Sequence, residues 1–80
     1  MTPERAKQLI ADLGLTGVEF AELMNANVNY VSNFNRKGVP QNIAIILDMS
    51  HELLNKKISK KRIIEIISNQ VKRLDNASRK

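Results

Sequence analysis

Only three residues, 25–27, separate two short segments that each carry a helical pattern of apolar residues. The pattern predicts one helix over residues 17–24 and another over about residues 28–35. A connection this short does not allow the two helices to lie antiparallel, so they must cross at a steep angle. Val31 and Phe34 are three residues apart and face the core. The rest of the second segment is therefore directed outward.

Local signals place three more helices around this pair. Thr2 and Pro3 start a helix over residues 3–13, and Gly14 ends it. Helices over residues 41–55 and 60–74 follow, the latter capped by Ser59. Residues 75–80 are expected to form a frayed polar tail. The sequence thus predicts one all-α, five-helix domain over residues 1–74, with the crossing pair at 16–36 in its centre.

Three further signals define the ends of the central pair and the core beneath it. Thr16 and Glu19 have the spacing of a capping box. Asn25 is the second choice after Gly for a left-handed helix stop, and Asn27 is a plausible N-cap for the segment that follows. Apolar residues at helical spacing in the flanking helices are expected to be buried, namely Ala6, Leu9, Ile10, Leu13, Ile43, Ile46, Leu47, Leu53 and Leu54.

Composition excludes several functions. The 80 residues contain no cysteine and one histidine, His51, so we expect no metal site, no cofactor and no disulfide. No acid pair, activated nucleophile or phosphate loop supports an enzyme, and no feature suggests a small-molecule ligand. No apolar run is long enough to span a membrane, and the N-terminus lacks the apolar stretch of a signal peptide, so we expect a cytoplasmic protein.

The net charge of +5 suits a polyanionic partner, but it is unevenly distributed. Residues 1–54 carry four Lys/Arg against six Asp/Glu, whereas residues 55–80 carry nine Lys/Arg against two Asp/Glu. The central pair therefore carries little of the positive charge. Its outward face is instead short and mostly polar: Val28, Asn29, Ser32, Asn33 and Arg36. Asn pairs bidentately with the adenine edge, and Val contacts a thymine methyl group.

Residues 14–34 resemble the helix-turn-helix of the lambdoid phage repressor and Cro family, also called XRE-type. The matching positions are Leu15, Thr16, Phe20-Ala21, Met24 and Val31-Ser32, and with the flanking helices the resemblance covers about residues 3–54. It implies a lambda-repressor-like domain that binds double-stranded DNA as a small transcriptional regulator. The third helix would enter the major groove, usually as a dimer on a palindromic site.

The resemblance also implies roles for individual residues. The base-contacting residues would be Val28, Asn29 and Asn33, with Ser32 close by. Residues that would hold the DNA backbone are Gly17, Asn27, Arg36, Lys37 and Asn42. The chain departs from the family pattern at Asn25, which replaces the turn glycine, and at Gly17, which replaces a frequent glutamine. The last helix is also longer than is usual in the family.

The C-terminal third carries two further features. The first is a basic cluster of Lys56, Lys57, Lys60, Lys61 and Arg62, which is either a solvated turn or a second phosphate-binding patch through Lys60 and Lys61. The second is the last helix, with Ile63, Ile64, Ile66, Ile67, Val71 and Leu74 apolar. Either its own core absorbs this surface, or part of it forms a symmetric homodimer contact.

Two other functions remain open from the sequence. The first is a protein-interaction module that keeps the fold without contacting DNA, such as an antitoxin or an assembly subunit. The second is RNA binding, which is weaker because the chain lacks an aromatic stacking platform.

Overall fold

Over the described residues the chain forms five α-helices, the number that the sequence predicts. The computed structural model describes the backbone of residues 1–78 and the side chains of residues 1–73. The helices are α1 (Pro3–Asp12), α2 (Gly17–Leu23), α3 (Phe34–Lys37), α4 (Gln41–Asn55) and α5 (Lys60–Ser78). Over these described residues there is no strand, so the all-α class is confirmed. No helix in this part of the chain has the length and apolar character needed to cross a membrane.

Side-chain caps start three of the helices. Thr2 Oγ1 accepts a hydrogen bond from the Arg5 N–H at 3.2 Å, and Ser59 Oγ accepts one from the Arg62 N–H at 3.2 Å. At α2 the capping box is complete: Thr16 Oγ1 accepts from the Glu19 N–H at 3.1 Å, and Glu19 Oε1 accepts from the Thr16 N–H at 3.0 Å. These bonds satisfy amides that have no partner within the helix. The three predicted caps are therefore confirmed.

A residue with a positive φ follows four of the helices, Gly38 after α3 among them. Gly14 after α1 has a φ of 78°, Asn25 after α2 has 57°, and Lys57 after α4 has 66°. In this arrangement the N–H groups of the left-handed residue and of the residue after it bond back to carbonyls in the last turn of the helix. After α2, the Asn25 N–H donates to Glu22 O at 3.0 Å and the Ala26 N–H donates to Ala21 O at 2.8 Å. The predicted stops at Gly14 and Asn25 are confirmed.

Two apolar clusters hold the helices together. The larger one joins α1, α2, the segment before α3, and α4: Ala6, Leu9, Ile10, Phe20, Val31, Phe34, Ile43 and Leu47. The smaller one joins Leu13 to Ile63 and Ile67 of α5. Three residues of α4 that were expected to be buried, Ile46, Leu53 and Leu54, are only half-buried. They pack against the smaller cluster, where α5 covers α4 incompletely.

Helix α5 is longer than the sequence pattern predicts. It runs to Ser78, whereas the sequence predicts an end at about residue 74. The assignment of residues 75–80 to a polar tail stays a prediction. Adding residues to a helix that has already formed costs little free energy, even when the added residues are polar, because each one gains a hydrogen bond. Residues 79–80 lie outside the described part of the chain, as does the side chain of Leu74, which was expected on the apolar face.

Candidate nucleic-acid interface

The segment before α3 is not the regular helix that was predicted. Residues 28–33 form a series of turns, and the α-helix covers only Phe34–Lys37. Backbone hydrogen bonds in this segment have two different spacings. The Tyr30 N–H donates to Asn27 O, three residues earlier, at 2.9 Å, whereas the Asn33 N–H donates to Asn29 O, four residues earlier, at 3.0 Å. The prediction of an α-helix over residues 28–35 is therefore wrong, although the chain still coils in helical turns.

Local side-chain hydrogen bonds explain this irregularity. Asn27 Oδ1 accepts from the Asn29 N–H at 2.9 Å, which confirms that Asn27 caps the segment. The Ser32 hydroxyl donates to Asn29 O at 2.9 Å, so it shares the carbonyl that also accepts from Asn33. Asn, Ser and Val all have low helix propensity, the first two because they compete for backbone groups. The same polar residues that suit contact with bases therefore weaken the helix that carries them.

Buried residues hold the segment on the domain from beneath. Val31 and Phe34 are 5% and 2% exposed, as predicted. Tyr30 is half-buried, and its ring meets that of Phe34 edge-on, with centroids 5.4 Å apart and planes at 72°. Burial raises the pKa of the Tyr30 phenol above 10.0, so the hydroxyl stays neutral at physiological pH. The inner side of the segment is thus anchored even though its backbone is irregular.

The outer side presents most of the predicted base-contacting residues to solvent. Val28 is 56% exposed, and Asn29 and Ser32 are also exposed. Asn33 is half-buried and lies at the N-cap of α3, so it is less accessible than the others. Val31 and Phe34, by contrast, belong to the buried core cluster. Exposed apolar Val28 among polar neighbours fits a surface that contacts both methyl groups and hydrogen-bonding edges.

Gly17 brings the start of α2 against this segment. A Cβ placed on Gly17 would lie 3.3 Å from both Cβ and Cγ1 of Val31, which is tighter than ordinary contact. The absence of a side chain therefore lets the first turn of α2 approach Val31. Backbone amides at a helix start favour anions. Gly17 lies beside the candidate surface, where a phosphate contact through its N–H was predicted.

The remaining predicted backbone contacts lie on either side of the connection between α3 and α4. Arg36 and Lys37 are exposed in the last turn of α3. Gly38, with a φ of 78°, ends that helix, and α4 begins three residues later. No side chain caps the N-terminus of α4, in contrast to α1 and α2, and Asn42 is exposed in its first turn. The N-cap residue Pro40 thus offers the first-turn amides of α4 no side-chain acceptor.

The basic cluster lies beside the connection that precedes α2. The Lys60 Cδ atom is 3.9 Å from the position that a Cβ on Gly14 would occupy, two residues before the cap Thr16. Lys61 is exposed on the next position of α5. Arg62 forms an ion pair with Glu65 at 2.7 Å, with both side chains more than half exposed. Its charge is therefore partly compensated, while Lys60 is directed toward the side of the domain where α2 starts.

Sequence reasoning missed two features. One is the left-handed backbone of Lys57. Glycine or asparagine would have signalled this conformation in the sequence, but a lysine does not. The other is an apolar groove of about 380 Å³ between α4 and α5, with exposed Ile45 and Met49 on its α4 edge. Their spacing of four residues is the sequence signal for this edge, whereas the α5 wall consists mainly of residues that the sequence predicts on the apolar face of the last helix. His51 is half-buried, and no group of three potential metal ligands occurs among the described residues.

Comparison of the chain with protein-family models, with curated proteins and with solved structures finds no match in any of the three. The resemblance to the phage-repressor family therefore rests on the residues quoted for it.

Proposed function

We propose that this protein binds double-stranded DNA in a sequence-specific manner, as a small transcriptional regulator with a lambda-repressor-like domain. The observation that carries the proposal is the anchored segment of residues 28–37. Its inner side is buried in the core, whereas its outer side exposes Val28, Asn29 and Ser32 next to two cations, Arg36 and Lys37. A surface of this kind combines groups that contact base edges with groups that hold phosphates.

Three groups of possible backbone contacts flank this surface. The start of α2 at Gly17 touches Val31 on one side, and Lys60 lies near the turn that leads into α2. On the other side, the uncapped N-terminus of α4 follows α3 after a short connection. In the proposed complex these groups hold the phosphates on both sides of the groove that residues 28–37 enter. The C-terminal cluster then supplies the positive charge that residues 1–54 lack.

The irregular backbone of residues 28–33 gives the proposal a spectroscopic consequence. Contact of the Ser32 hydroxyl with a base would compete with the bond that it now donates to Asn29 O, the carbonyl that also accepts from the Asn33 N–H. We therefore expect the segment to become more regular on DNA, with a gain in helical circular dichroism at the target site. Random DNA of the same length should produce a smaller gain.

The direct test is selection of bound sequences from random DNA, followed by titration of the selected site at several salt concentrations. We expect an enriched motif and an affinity that falls with salt, by a slope of about 0.9 for each phosphate contact. Failure to enrich any motif would refute sequence-specific binding. No binding at low salt would instead favour a protein-interaction module with the same fold.

Matched variants separate base contacts from phosphate contacts. Asn29→Ala should weaken binding to the selected site by about 1–3 kcal/mol and relax its sequence preference, because a bidentate contact is lost. Asn55→Ala, at an exposed position near the end of α4, is the control and should change neither. If Asn29→Ala instead weakened binding to random DNA equally, Asn29 would hold the backbone only.

The basic cluster has its own test. Lys60→Ala combined with Lys61→Ala should reduce the salt slope by up to about 1.8 and leave the selected motif unchanged. Lys7→Ala, which removes an exposed cation from α1, serves as the control. An unchanged slope in the double variant would remove the cluster from the interface.

A further inference from the structure

The groove between α4 and α5 has a size that suits the side chains of a further helix. Its volume is about 380 Å³, and its lining extends along α4 from Asn42 to Leu53. At 1.5 Å per residue, this stretch of α4 is about 16 Å long, which is about three turns. An apolar cavity of about 150 Å³ holds a benzene ring, so the groove has room for about two to three side chains of that size. Apolar residues on successive turns of one helix face match this length and volume.

Two methionines make the lining adaptable. Met49 is 62% exposed on the α4 edge, one turn after Ile45, which is 52% exposed. Met24, the C-cap of α2, is half-buried in the same lining. Methionine is unbranched and flexible, and it is frequent on surfaces that bind helical peptides. Of the residues that line the groove, only Asn42 is also a predicted DNA contact, so the groove is largely separate from the candidate interface.

The two edges of the groove carry opposite charges. On α4, Asp48 and Glu52 each follow an exposed apolar residue of the edge by three positions, so they lie along that edge. On α5, Arg73 follows the groove residue Gln70 by three positions and is exposed. Arg62 lies on the same edge, within an ion pair of its own. A helix in the groove therefore meets carboxylates on one flank and a guanidinium group on the other.

A second copy of this chain does not offer a helix that fits these edges. Outside the groove, the large apolar residues exposed in the described part of the chain are Met1, Val18, Val28 and Ile58, and no two of them lie on one helix. Helix α4 has two exposed apolar residues one turn apart, but residues 41–55 contain no lysine or arginine. It therefore lacks the cations that the acidic edge requires. The charges point to a helix from a different protein.

We propose that the groove binds an amphipathic helix of another protein. That helix carries two or three large apolar residues on successive turns, which fill the groove. Lysine or arginine lies along its flank that meets Asp48 and Glu52, and aspartate or glutamate lies on the flank that meets Arg73. This gives the chain a protein partner in addition to DNA. The proposal does not depend on contact between residues 28–37 and bases.

Fluorescence anisotropy with synthetic helical peptides tests this on the full chain without DNA. The first peptide has about 14 residues, with leucines on successive turns of one face, lysines along one flank and glutamates along the other. The second peptide has glutamates along both flanks. A helix can lie in the groove in either direction, so only the second peptide fails to match both edges in both directions. We expect the mixed peptide to bind at least about threefold more tightly at low salt. No binding of the mixed peptide up to about 1 mM would overturn the proposal.

A neutral substitution tests whether the groove is the binding surface. Met49→Gln keeps the length of the side chain and its helix propensity but replaces the apolar tip with an amide. It should raise the Kd of the mixed peptide at least about fivefold. Val18→Gln is the matched control, since Val18 is 48% exposed on α2, and it should leave this Kd unchanged. Equal effects of the two variants would overturn the proposal.

A charge reversal tests the match between the flanks. Glu52→Lys makes both edges basic, so it should weaken the mixed peptide and tighten the all-glutamate peptide, each by at least about threefold. Glu22→Lys makes the same change of charge at an exposed position on α2, and it should alter both Kd values by less than about twofold. The same response in both variants would show an effect of net charge only and would overturn the proposal.

Sedimentation equilibrium of the same variants distinguishes a partner helix from a second copy. We expect Met49→Gln to leave the self-association of the chain unchanged while it weakens peptide binding. If Met49→Gln instead reduced self-association and left the peptide Kd unchanged, a second copy would be the occupant and the proposal would be wrong.

Discussion

Lys57 occupies a left-handed backbone position in which a side chain is unfavourable. It follows the C-cap Lys56, and its φ is 66°. The N–H groups of Lys57 and Ile58 both bond back to the last turn of α4, at 3.0 Å each, so the conformation ends the helix. A Cβ in this region costs roughly 1–2 kcal/mol. Substitution by glycine removes this cost without disturbing the two backbone bonds.

The magnitude of the effect of Lys57→Gly follows from two opposing terms. Relief of the left-handed strain favours the folded state by about 1–2 kcal/mol. The greater freedom of glycine in the unfolded chain opposes this by about 0.5–1 kcal/mol. We therefore expect a net stabilisation of about 0.5–1 kcal/mol. In a domain of this size that raises Tm by about 2–8 °C.

Lys56→Gly is the control for this prediction. It removes the same positive charge from the adjacent position, but Lys56 has a φ of −89°, where a side chain is not strained. The glycine therefore brings only its cost in the unfolded state, and this variant should be less stable than the unmodified chain. Chemical denaturation of both variants at matched salt measures the difference, expected to be about 1–2 kcal/mol. If Lys57→Gly proved no more stable than Lys56→Gly, the argument from backbone strain would be wrong.

Two further predictions concern α2 and the segment that follows it. Thr16→Ala should lower the stability by about 1 kcal/mol, because it removes the oxygen that accepts from Glu19. Thr16→Ser keeps this oxygen and should stay within a few tenths of a kcal/mol in the same denaturation assay. Tyr30 is the single tyrosine and there is no tryptophan, so alkaline absorbance titration follows one group. Because burial raises its pKa, its midpoint should lie above 10.0 in the folded protein, and the contribution of Tyr30 to stability should be lost as the pH rises through that midpoint. A midpoint at or below 10.0, or an equal alkaline loss of stability in Tyr30→Phe, would contradict this.

Most helix boundaries were predictable because they depend on contacts between near neighbours. Thr2, Thr16 and Ser59 cap helices through bonds to residues three positions away, and Gly14 and Asn25 end helices through their own backbone preferences. The core face of α1 was also predictable, since the 3.6-residue period directs its apolar residues to one side. Such signals act before distant parts of the chain meet, so the sequence carries them directly.

The segment of residues 28–33 shows where a periodic pattern is insufficient. Its apolar positions predict correctly that Val31 and Phe34 face the core. They do not reveal that the Ser32 hydroxyl bonds to the carbonyl of Asn29, which also accepts from the Asn33 N–H. The outcome depends on a competition between bonds of similar energy, which a pattern of apolar positions does not weigh.

The sequence by itself determined the all-α class, the helix caps, and the outward position of Val28, Asn29 and Ser32. Only the tertiary structure decided how far α5 covers α4, and therefore that Ile45 and Met49 stay exposed beside a groove. It also decided that Gly17 meets Val31 and that Lys60 lies near Gly14. These contacts join residues 14 to 46 positions apart in the chain. They depend on the packing of whole helices, because local periodicity sets which face of a helix is apolar but not which partner covers it.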